Sequence, residues 1–449
     1  MSAPRRRSIL LGSCIALAAL LTLADYWYLS LDNMPLANNE FEFLQEARGL
    51  SGGEQSLLGL IRSKVHPPLL QLLAAPVALL CGQHNELTIA VFNGLWLLMT
   101  IYCTALCVQI LSAGKRLLGP LIAAAISGTF SGVLAFSRVL TFEPMLAGLS
   151  MATVLCALLL YRRRNVRYAL GLAALVLCGL ATKGSYPLYV VAPLGALIVC
   201  DLWRSAGSRT RVAGRWALAL ALPVALAAPY YLHHMLTMAT AVDAHTPDKL
   251  SWSGGWGGYF MYRHGVPQNF FLVYLQGLMR QSTGAPAPLL AALGCLVLAL
   301  RRRWGLLALS IIWTAGTMLA FFCLGLLGVH SILCDRYLIP ALPVFALIAG
   351  LALDQLQQSR GVRHAALIAV LGCCLLVAPV AQLLTPVGPP DKQFDYVEDD
   401  QTAVWVNDLQ GRRYDHCGLL TPHHFDQSEL RRLACRGGFG DLEIKCPQE

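Results

Sequence analysis

A few ionisable residues interrupt a chain that is otherwise strongly apolar, and their types suit group-transfer chemistry. Glu40 and Glu143 carry carboxylates, which can accept the proton of an attacking hydroxyl as a general base. Lys183 and Arg336 are cations, which can stabilise a group that gains negative charge during a reaction. An ionisable residue beside an apolar segment is costly unless it is paired or faces water, so these positions are functional candidates.

These residues belong to short motifs that apolar runs separate. In chain order the motifs are Asn39-Glu40, His66-Pro67-Pro68-Leu69, Arg138 with Glu143-Pro144, Thr182-Lys183-Gly184, and Arg336-Tyr337 with Pro340. Each motif alone is a weak indication of function. Their order, and the single side of the membrane on which the topology below places them, are more informative.

Each candidate also has a purely structural interpretation. Glu40 suits the first turn of a surface helix that Asn38 or Asn39 caps, where a carboxylate stabilises the helix dipole. Glu143 can pair with Arg138 and so only fix the loop between two spans. Lys183 can extend its ammonium group towards the membrane surface, as lysines at span ends often do.

Composition identifies a polytopic membrane protein. The 449 residues are 56% hydrophobic and only 13% charged, and the mean hydropathy is +0.56. Soluble domains carry about 25% charged residues, so an aqueous fold is a poor description of this chain. The net charge of +9 comes from short basic clusters between apolar runs rather than from a nucleic-acid-binding surface.

The apolar runs predict an all-α bundle of about eleven transmembrane helices. The predicted spans are 8–30, 87–112, 117–136, 144–161, 167–182, 186–200, 215–234, 285–300, 304–328, 337–355 and 364–384. A twelfth apolar run, 67–81, begins with two prolines and is too short to cross. We expect it to be a juxtamembrane or re-entrant segment in the first outer loop.

The basic clusters orient the bundle. Placing all of them in the cytoplasm puts the N-terminus inside and the C-terminus outside, in the cytoplasmic (inner) membrane. The outer side then carries the loop 31–86, the Arg138–Glu143 loop, the Lys183 turn, the loop 235–284, the segment His330–Tyr337 and the tail 385–449. The cytoplasmic loops contain no nucleotide-binding glycine motif.

The chain divides into a transmembrane domain, 1–384, and a small extracytoplasmic extension, 385–449. Within the extension, Val404-Trp405-Val406 has the composition of a short strand. Its three cysteines, Cys417, Cys435 and Cys446, permit one disulfide with one thiol left over, and three unpaired thiols are an equal alternative.

The five motifs together resemble the GT-C-fold glycosyltransferases that use polyprenyl-phosphate sugars, such as protein O-mannosyltransferases and the aminoarabinose transferases of lipid A. The resemblance covers residues 10–355. It implies a GT-C-like bundle with juxtamembrane helices in the first outer loop. It also implies a catalytic carboxylate in that loop and substrate binding by Asn39, His66, Arg138, Lys183, Arg336 and Tyr337.

One position departs from the family pattern. The family has Asp-Glu where this chain has Asn39-Glu40, and its Asp is taken as the catalytic base. An amide cannot accept the proton. Glu40 is then the first candidate for the base and Asp32 the second, with Glu143 completing the catalytic set.

The resemblance predicts transfer of a hexose or pentose from a polyprenyl-phosphate donor to a lipid, glycan or protein acceptor on the outer face of the membrane. No cofactor is indicated, and a divalent cation stays an open alternative. Two other functions also stay open. The chain can be a transporter or flippase for a lipid-linked or small substrate, or a GT-C-like protein that Asn39 has left inactive.

Overall fold

A computed structural model describes most of the membrane-embedded chain. The described residues are 3–31, 38–63, 67–82, 84–112, 116–138, 140–205, 207–244, 287–326 and 335–357, together with four short strands between 396 and 415. Among the sequence predictions, Asp32, His66, the span 364–384, the three tail cysteines and most of the extension lie outside these residues.

The described chain is helical from residue 3 to residue 357. The α-helices are α1 Ala3–Leu31, α2 Asn38–Gly52, α3 Leu57–Ser63, α4 Leu69–Cys81, α5 Asn85–Leu111, α6 Leu118–Thr129, α7 Ser131–Ser137, α8 Phe142–Arg163, α9 Val166–Leu180, α10 Pro187–Arg204, α11 Arg209–Ala244, α12 Ala287–Leu300, α13 Trp304–Leu326 and α14 Leu342–Gln357. A 3-10 helix, Asp335–Ala341, leads directly into α14.

Seven of the described helical segments are long and apolar enough to cross a membrane. They lie in α1, α5, α8, α10, α11, α13 and the 3-10 helix with α14. Three further predicted spans correspond to shorter apolar helices. Helix α6 stops at Phe130, before α7 begins. Helices α9 and α12 have only 15 and 14 residues. The all-α membrane fold is therefore confirmed, while the count of eleven stays a prediction.

The segment 67–81 forms a short helix beside the spans. Helix α4 has 13 residues, which gives a length of about 20 Å, less than the roughly 30 Å of a bilayer core. It packs against α2 and α5. The amide of Gln71 in α4 donates to the carboxylate of Glu46 in α2 at 3.0 Å, and both side chains are buried. This short helix is consistent with the juxtamembrane prediction.

The centre of the bundle is formed by α5, α8 and α14. In the 18-residue apolar window within Tyr337–Gln357, 94% of the residues are buried, compared with 22% in that of α13. Small residues allow close approach there, because a Cβ on Gly119 of α6 would lie 2.5 Å from the carbonyl oxygen of Gly350 in α14. Many exposed side chains on α10, α11 and α13 are apolar, for example Val191, Val224 and Leu319, as lipid contact requires.

The helices place the basic clusters at one end of the bundle. Arg164, which follows α8 in a left-handed conformation, forms an ion pair with Asp201 of α10 at 2.9 Å. The indole of Trp216 in α11 donates to the same carboxylate at 3.0 Å. Arg303 donates to Gln355 near the end of α14 at 2.8 Å. The opposite ends of α8 and α14 are where the candidate site lies.

Four short strands are described in the extension. β1 Tyr396–Val397 pairs with β2 Gln401–Thr402, and β3 Trp405–Asn407 pairs with β4 Arg413–Asp415, both antiparallel. Trp405 lies opposite Asp415 in the second pair. The predicted strand at Val404-Trp405-Val406 thus coincides with β3 to within one residue.

Candidate functional site

The end of the bundle opposite the basic clusters holds a buried ion pair between two predicted site residues. Glu143 lies in the first turn of α8, where a carboxylate favours the helix dipole. Lys183 follows the C-terminal end of α9. Lys183 Nζ is 3.2 Å from Glu143 Oε1, and the two side chains are 4% and 2% exposed. The tertiary structure therefore joins residues that are 40 positions apart.

Two aromatic rings complete the surroundings of the Lys183 ammonium group. Nζ lies 4.4 Å from the centre of the Tyr337 ring and 5.3 Å from that of Phe142. Such cation–π contacts are strongest where water is excluded. Tyr337 is held in turn, because the hydroxyl of Tyr189 in α10 donates to its carbonyl oxygen at 2.9 Å. Glu143 thus comes from α8, Lys183 from the turn between α9 and α10, and Tyr337 from the 3-10 helix.

The turn that carries Lys183 is fixed by close packing. A Cβ on Gly179 would lie 2.2 Å from the Tyr186 ring, so the ring rests directly on the helix backbone. The Tyr186 hydroxyl is hydrogen-bonded to Thr153 of α8. The hydroxyl of Tyr231 in α11 binds the carbonyl of Leu180. These contacts determine where the ammonium group can lie.

A second buried ion pair lies at the same end of the bundle. Arg138 Nε is 2.9 Å from Asp25 Oδ1, and both side chains are 3% exposed. The other carboxylate oxygen of Asp25 accepts from Ser137 Oγ at 2.6 Å. Asn93 of α5 donates to the carbonyl of Ser137 at 2.8 Å. Residues 137 and 138 are therefore attached to both α1 and α5.

Asp25 is a site residue that the sequence interpretation missed. The acids considered there were in loops or at helix ends, whereas Asp25 lies inside the apolar run of α1. A carboxylate within such a run is rare and usually paired, which is the observation that would have identified it. The structure also shows an ion pair for each of the two predicted residues: Arg138 pairs with Asp25, and Glu143 pairs with Lys183.

Helix α2 reaches this site from the side. The ring of Phe43 in α2 meets that of Phe142 edge-on, with centres 5.1 Å apart. Glu40 lies three residues before Phe43, in the first turn of α2, and residues three apart share one helix face. The backbone of Glu40 is therefore about 4.5 Å along the helix axis from that of Phe43, with Asn39 next to it.

The remaining predicted residues divide into two groups. Arg336 lies in the 3-10 helix next to Tyr337, so its backbone is close to the Glu143–Lys183 pair. Asp32 and His66 lie outside the described residues. Among the residues that the structure describes, there is no group of three or more His, Cys, Asp and Glu side chains that could hold a metal ion.

Comparison with known proteins finds similarity in structure but not in sequence. No family model matches the chain, and no curated protein does. The oligosaccharyltransferase AglB of Archaeoglobus fulgidus, solved with an inhibitory peptide and a dolichol-phosphate, is 12% identical with a TM-score of 0.54. The match covers 86% of this chain and 57% of AglB.

Two other solved structures give similar values. The Archaeoglobus fulgidus oligosaccharyltransferase in complex with Zn and sulfate is 14% identical, with a TM-score of 0.52 over 86% of this chain and 54% of that one. ArnT from Cupriavidus metallidurans, bound to undecaprenyl phosphate, is 16% identical, with a TM-score of 0.49 over 83% and 70%. The chain thus spans a little over half the length of the archaeal enzyme. Likeness at this identity shows the fold and leaves the activity to be argued from the site.

Proposed function

We propose that this chain, a membrane protein with the GT-C fold, is a glycosyltransferase that moves a sugar from a polyprenyl-phosphate donor to an acceptor hydroxyl. The observation that carries the proposal is the buried Glu143–Lys183 pair beneath Tyr337 at one end of the bundle. A carboxylate and a cation in contact, away from water, are the two groups that such a transfer requires.

The fold and the charge of the site support the donor class. AglB shares the fold and was solved with a dolichol-phosphate. A sugar used outside the cytoplasm arrives on a lipid carrier whose phosphate lies at the membrane surface. In our proposal Lys183 and Arg336 bind that phosphate, and Arg138, His66 and Tyr337 complete the substrate-binding set.

The base is a carboxylate at the same end of the bundle. Glu40 and Glu143 are the candidates, because Asn39 cannot accept a proton. Asp32 is the second choice for the base from the sequence. The contact between Phe43 and Phe142 supports Glu40 by placing the start of α2 beside the start of α8. Glu143 is supported by its direct contact with the cation that would bind the donor phosphate.

The site is assigned to the outer face of the cytoplasmic membrane. Arg164 and Arg303 lie at the opposite end of the bundle from Glu143, and basic residues mark the cytoplasmic side. The N-terminus is then cytoplasmic, and the extension 385–449 is a separate extracytoplasmic domain. The acceptor is a lipid, a glycan or a protein presented on that face.

Transfer from purified donors tests the proposal. The full chain, reconstituted in nanodiscs, is mixed with polyprenyl-phosphate hexoses or pentoses and with envelope acceptors. Mass spectrometry then measures the released polyprenyl phosphate and the glycosylated product. Glu40→Gln and Glu143→Gln should each lower the rate by at least about a hundredfold. Glu86→Gln, the same change in the first turn of α5, is the matched control and should keep the wild-type rate.

The outcomes separate the alternatives. Wild-type rates in both the Glu40 and the Glu143 variants would show that the site assignment is wrong. Uptake of a substrate into sealed vesicles without covalent sugar transfer would favour a flippase or transporter. Absence of transfer and of transport, with normal cellular function in the same variants, would favour the inactive GT-C-like protein that Asn39 suggests.

A further inference from the structure

The Glu143–Lys183 contact occupies two groups that the proposed transfer needs separately. A general base must reach the proton of the acceptor, but Glu143 Oε1 lies 3.2 Å from the Lys183 ammonium group. A phosphate-binding cation must reach the donor, but this cation is in contact with a carboxylate. Both side chains are almost fully buried, so neither group can act while the contact is closed.

We propose that the donor phosphate displaces Glu143 from Lys183, so that binding of the donor itself releases Glu143 to act as the general base. The inference rests on the proposed function and adds an order to it: the donor binds before the acceptor can react. It also assigns the base to Glu143, in a chain where Asn39 replaces the acid that the family uses.

The surroundings of Lys183 favour an exchange of anions over a movement of the cation. The Tyr337 and Phe142 rings contact the ammonium group through their π-systems, and these contacts do not depend on which anion is bound. An ammonium group has three donors on a flexible stem, so it can turn from a carboxylate to a phosphate without leaving its place. Glu143 is then the partner that is replaced.

The second ion pair, Asp25–Arg138, is held by several contacts. Both carboxylate oxygens of Asp25 are engaged, one by Arg138 Nε at 2.9 Å and the other by Ser137 Oγ at 2.6 Å. Ser137 is held further through its carbonyl by Asn93. Several short contacts from different helices must break together to separate this pair. We therefore assign a fixed structural role to Asp25–Arg138.

Release of the cation makes Glu143 a better proton acceptor. Loss of a contact with a cation makes the charge of a buried carboxylate more costly, and protonation removes that charge. The incoming hydroxyl group of the acceptor supplies that proton. Donor binding thus prepares Glu143 to accept a proton at the place where the acceptor hydroxyl loses one.

The step is balanced in atoms and charge. The acceptor oxygen forms a bond to the anomeric carbon of the sugar while the bond from that carbon to the phosphate oxygen breaks. The acceptor proton passes to Glu143, and the bonding electron pair leaves with the phosphate. The carrier changes from a phosphodiester with one negative charge to a monoester with about −1.5 to −2, so its attraction to Lys183 grows along the reaction. After the carrier leaves, Glu143 gives its proton to water and rejoins Lys183.

Binding of undecaprenyl phosphate to the full chain in nanodiscs tests the exchange without relying on turnover. Because Glu143 competes with the phosphate for Lys183, Glu143→Gln should bind the probe on the order of tenfold more tightly than the wild type. Lys183→Met should bind at least about tenfold more weakly. In the double variant the Glu143 change should give no gain, because no cation remains to be released. Glu86→Gln should match the wild type.

Kinetics provide a second readout that a merely structural role would not produce. Glu143→Gln should lower KM for the donor and lower kcat at the same time, since it removes both the competitor and the base. If Glu143→Gln does not fold, Glu143→Asp is the second variant for the binding measurement. Its shorter side chain weakens the contact with Lys183, so the probe should bind more tightly than to the wild type.

The results distinguish the two proposals. If the wild type binds undecaprenyl phosphate and neither Glu143 variant binds it more tightly, the exchange is wrong while the glycosyltransferase proposal stands. If no variant binds the probe at all, the proposed donor class is wrong and the exchange is wrong with it.

Discussion

The guanidinium group of Arg138 binds the carboxylate of Asp25, 113 positions earlier in the chain, with 2.9 Å between Nε and Oδ1. The pair joins α1 to the residue that follows α7, and both side chains are buried. Arg138 is thereby held five residues before Glu143, the acid of the other ion pair. Two of the cations expected to bind substrate, Arg138 and Lys183, are each in contact with a carboxylate in the folded chain.

Asp25→Ala should lower the free energy of unfolding by about 3–5 kcal/mol, because it leaves the Arg138 charge buried without its carboxylate. The double variant Asp25→Leu with Arg138→Met should recover most of that loss, since replacing both charges removes the cost of burying either. Unfolding of the purified protein in detergent measures both effects, with Glu86→Ala as the control. Wild-type stability of Asp25→Ala would show that the pair is not formed.

Tyr337→Leu should weaken binding of undecaprenyl phosphate by roughly tenfold, because it removes the ring that lies against the Lys183 ammonium group. Tyr337→Phe keeps the ring and should bind within about twofold of the wild type. The comparison is made by binding to protein in nanodiscs. Equal losses in the two variants would assign the effect to the hydroxyl rather than to the ring face.

Gly179→Ala should destabilise the protein by about 1–3 kcal/mol, because the added methyl group overlaps the Tyr186 ring. The displaced ring should also move the Lys183 turn and reduce transfer. Gly195→Ala in α10 is the matched control, since a Cβ there meets no atom within 4 Å, and alanine stabilises a helix interior relative to glycine by up to about 1 kcal/mol. Wild-type stability of Gly179→Ala would mean that the Tyr186 ring does not pack against α9.

Reporter fusions should place the two ends of the bundle on opposite sides of the membrane. Glu143 and Arg162 lie at opposite ends of the 22-residue helix α8, about 33 Å long. A fusion after Gly207, between α10 and α11, should fluoresce with green fluorescent protein and be inactive with alkaline phosphatase. A fusion after Gly53, which follows α2, should show the reverse. The opposite pattern would reverse the topology and exclude an outer-face reaction.

Much of the fold could be predicted because a membrane leaves few options. The backbone polar groups of an apolar run must be satisfied within the run, so each run long enough to span becomes a helix. This reasoning located the described spans to within a few residues and separated α4 from them. It did not predict the interruption at Phe130 between α6 and α7, although Gly, Ser and Thr residues on both sides of Phe130 are typical of a break between helices.

The residues of the site could be predicted from the sequence, but the contacts between them could not. Glu143 and Lys183 could be identified because an ionisable residue at the edge of an apolar helix is costly without a partner. Which partner each residue takes depends on which helices are neighbours, and no local pattern contains that information. The contacts Arg138–Asp25 and Gln71–Glu46 show this, because their members are 113 and 25 positions apart.

The sequence by itself determined that this is a multi-span helical membrane protein and which charged residues deserve a functional interpretation. The tertiary structure decided that Lys183 faces Glu143 between two aromatic rings and that Asp25 holds Arg138. The physical reason is the range of the forces involved. Hydropathy and helix formation act along a few consecutive residues, whereas a buried ion pair forms only where packing brings distant helices within about 3–4 Å of each other.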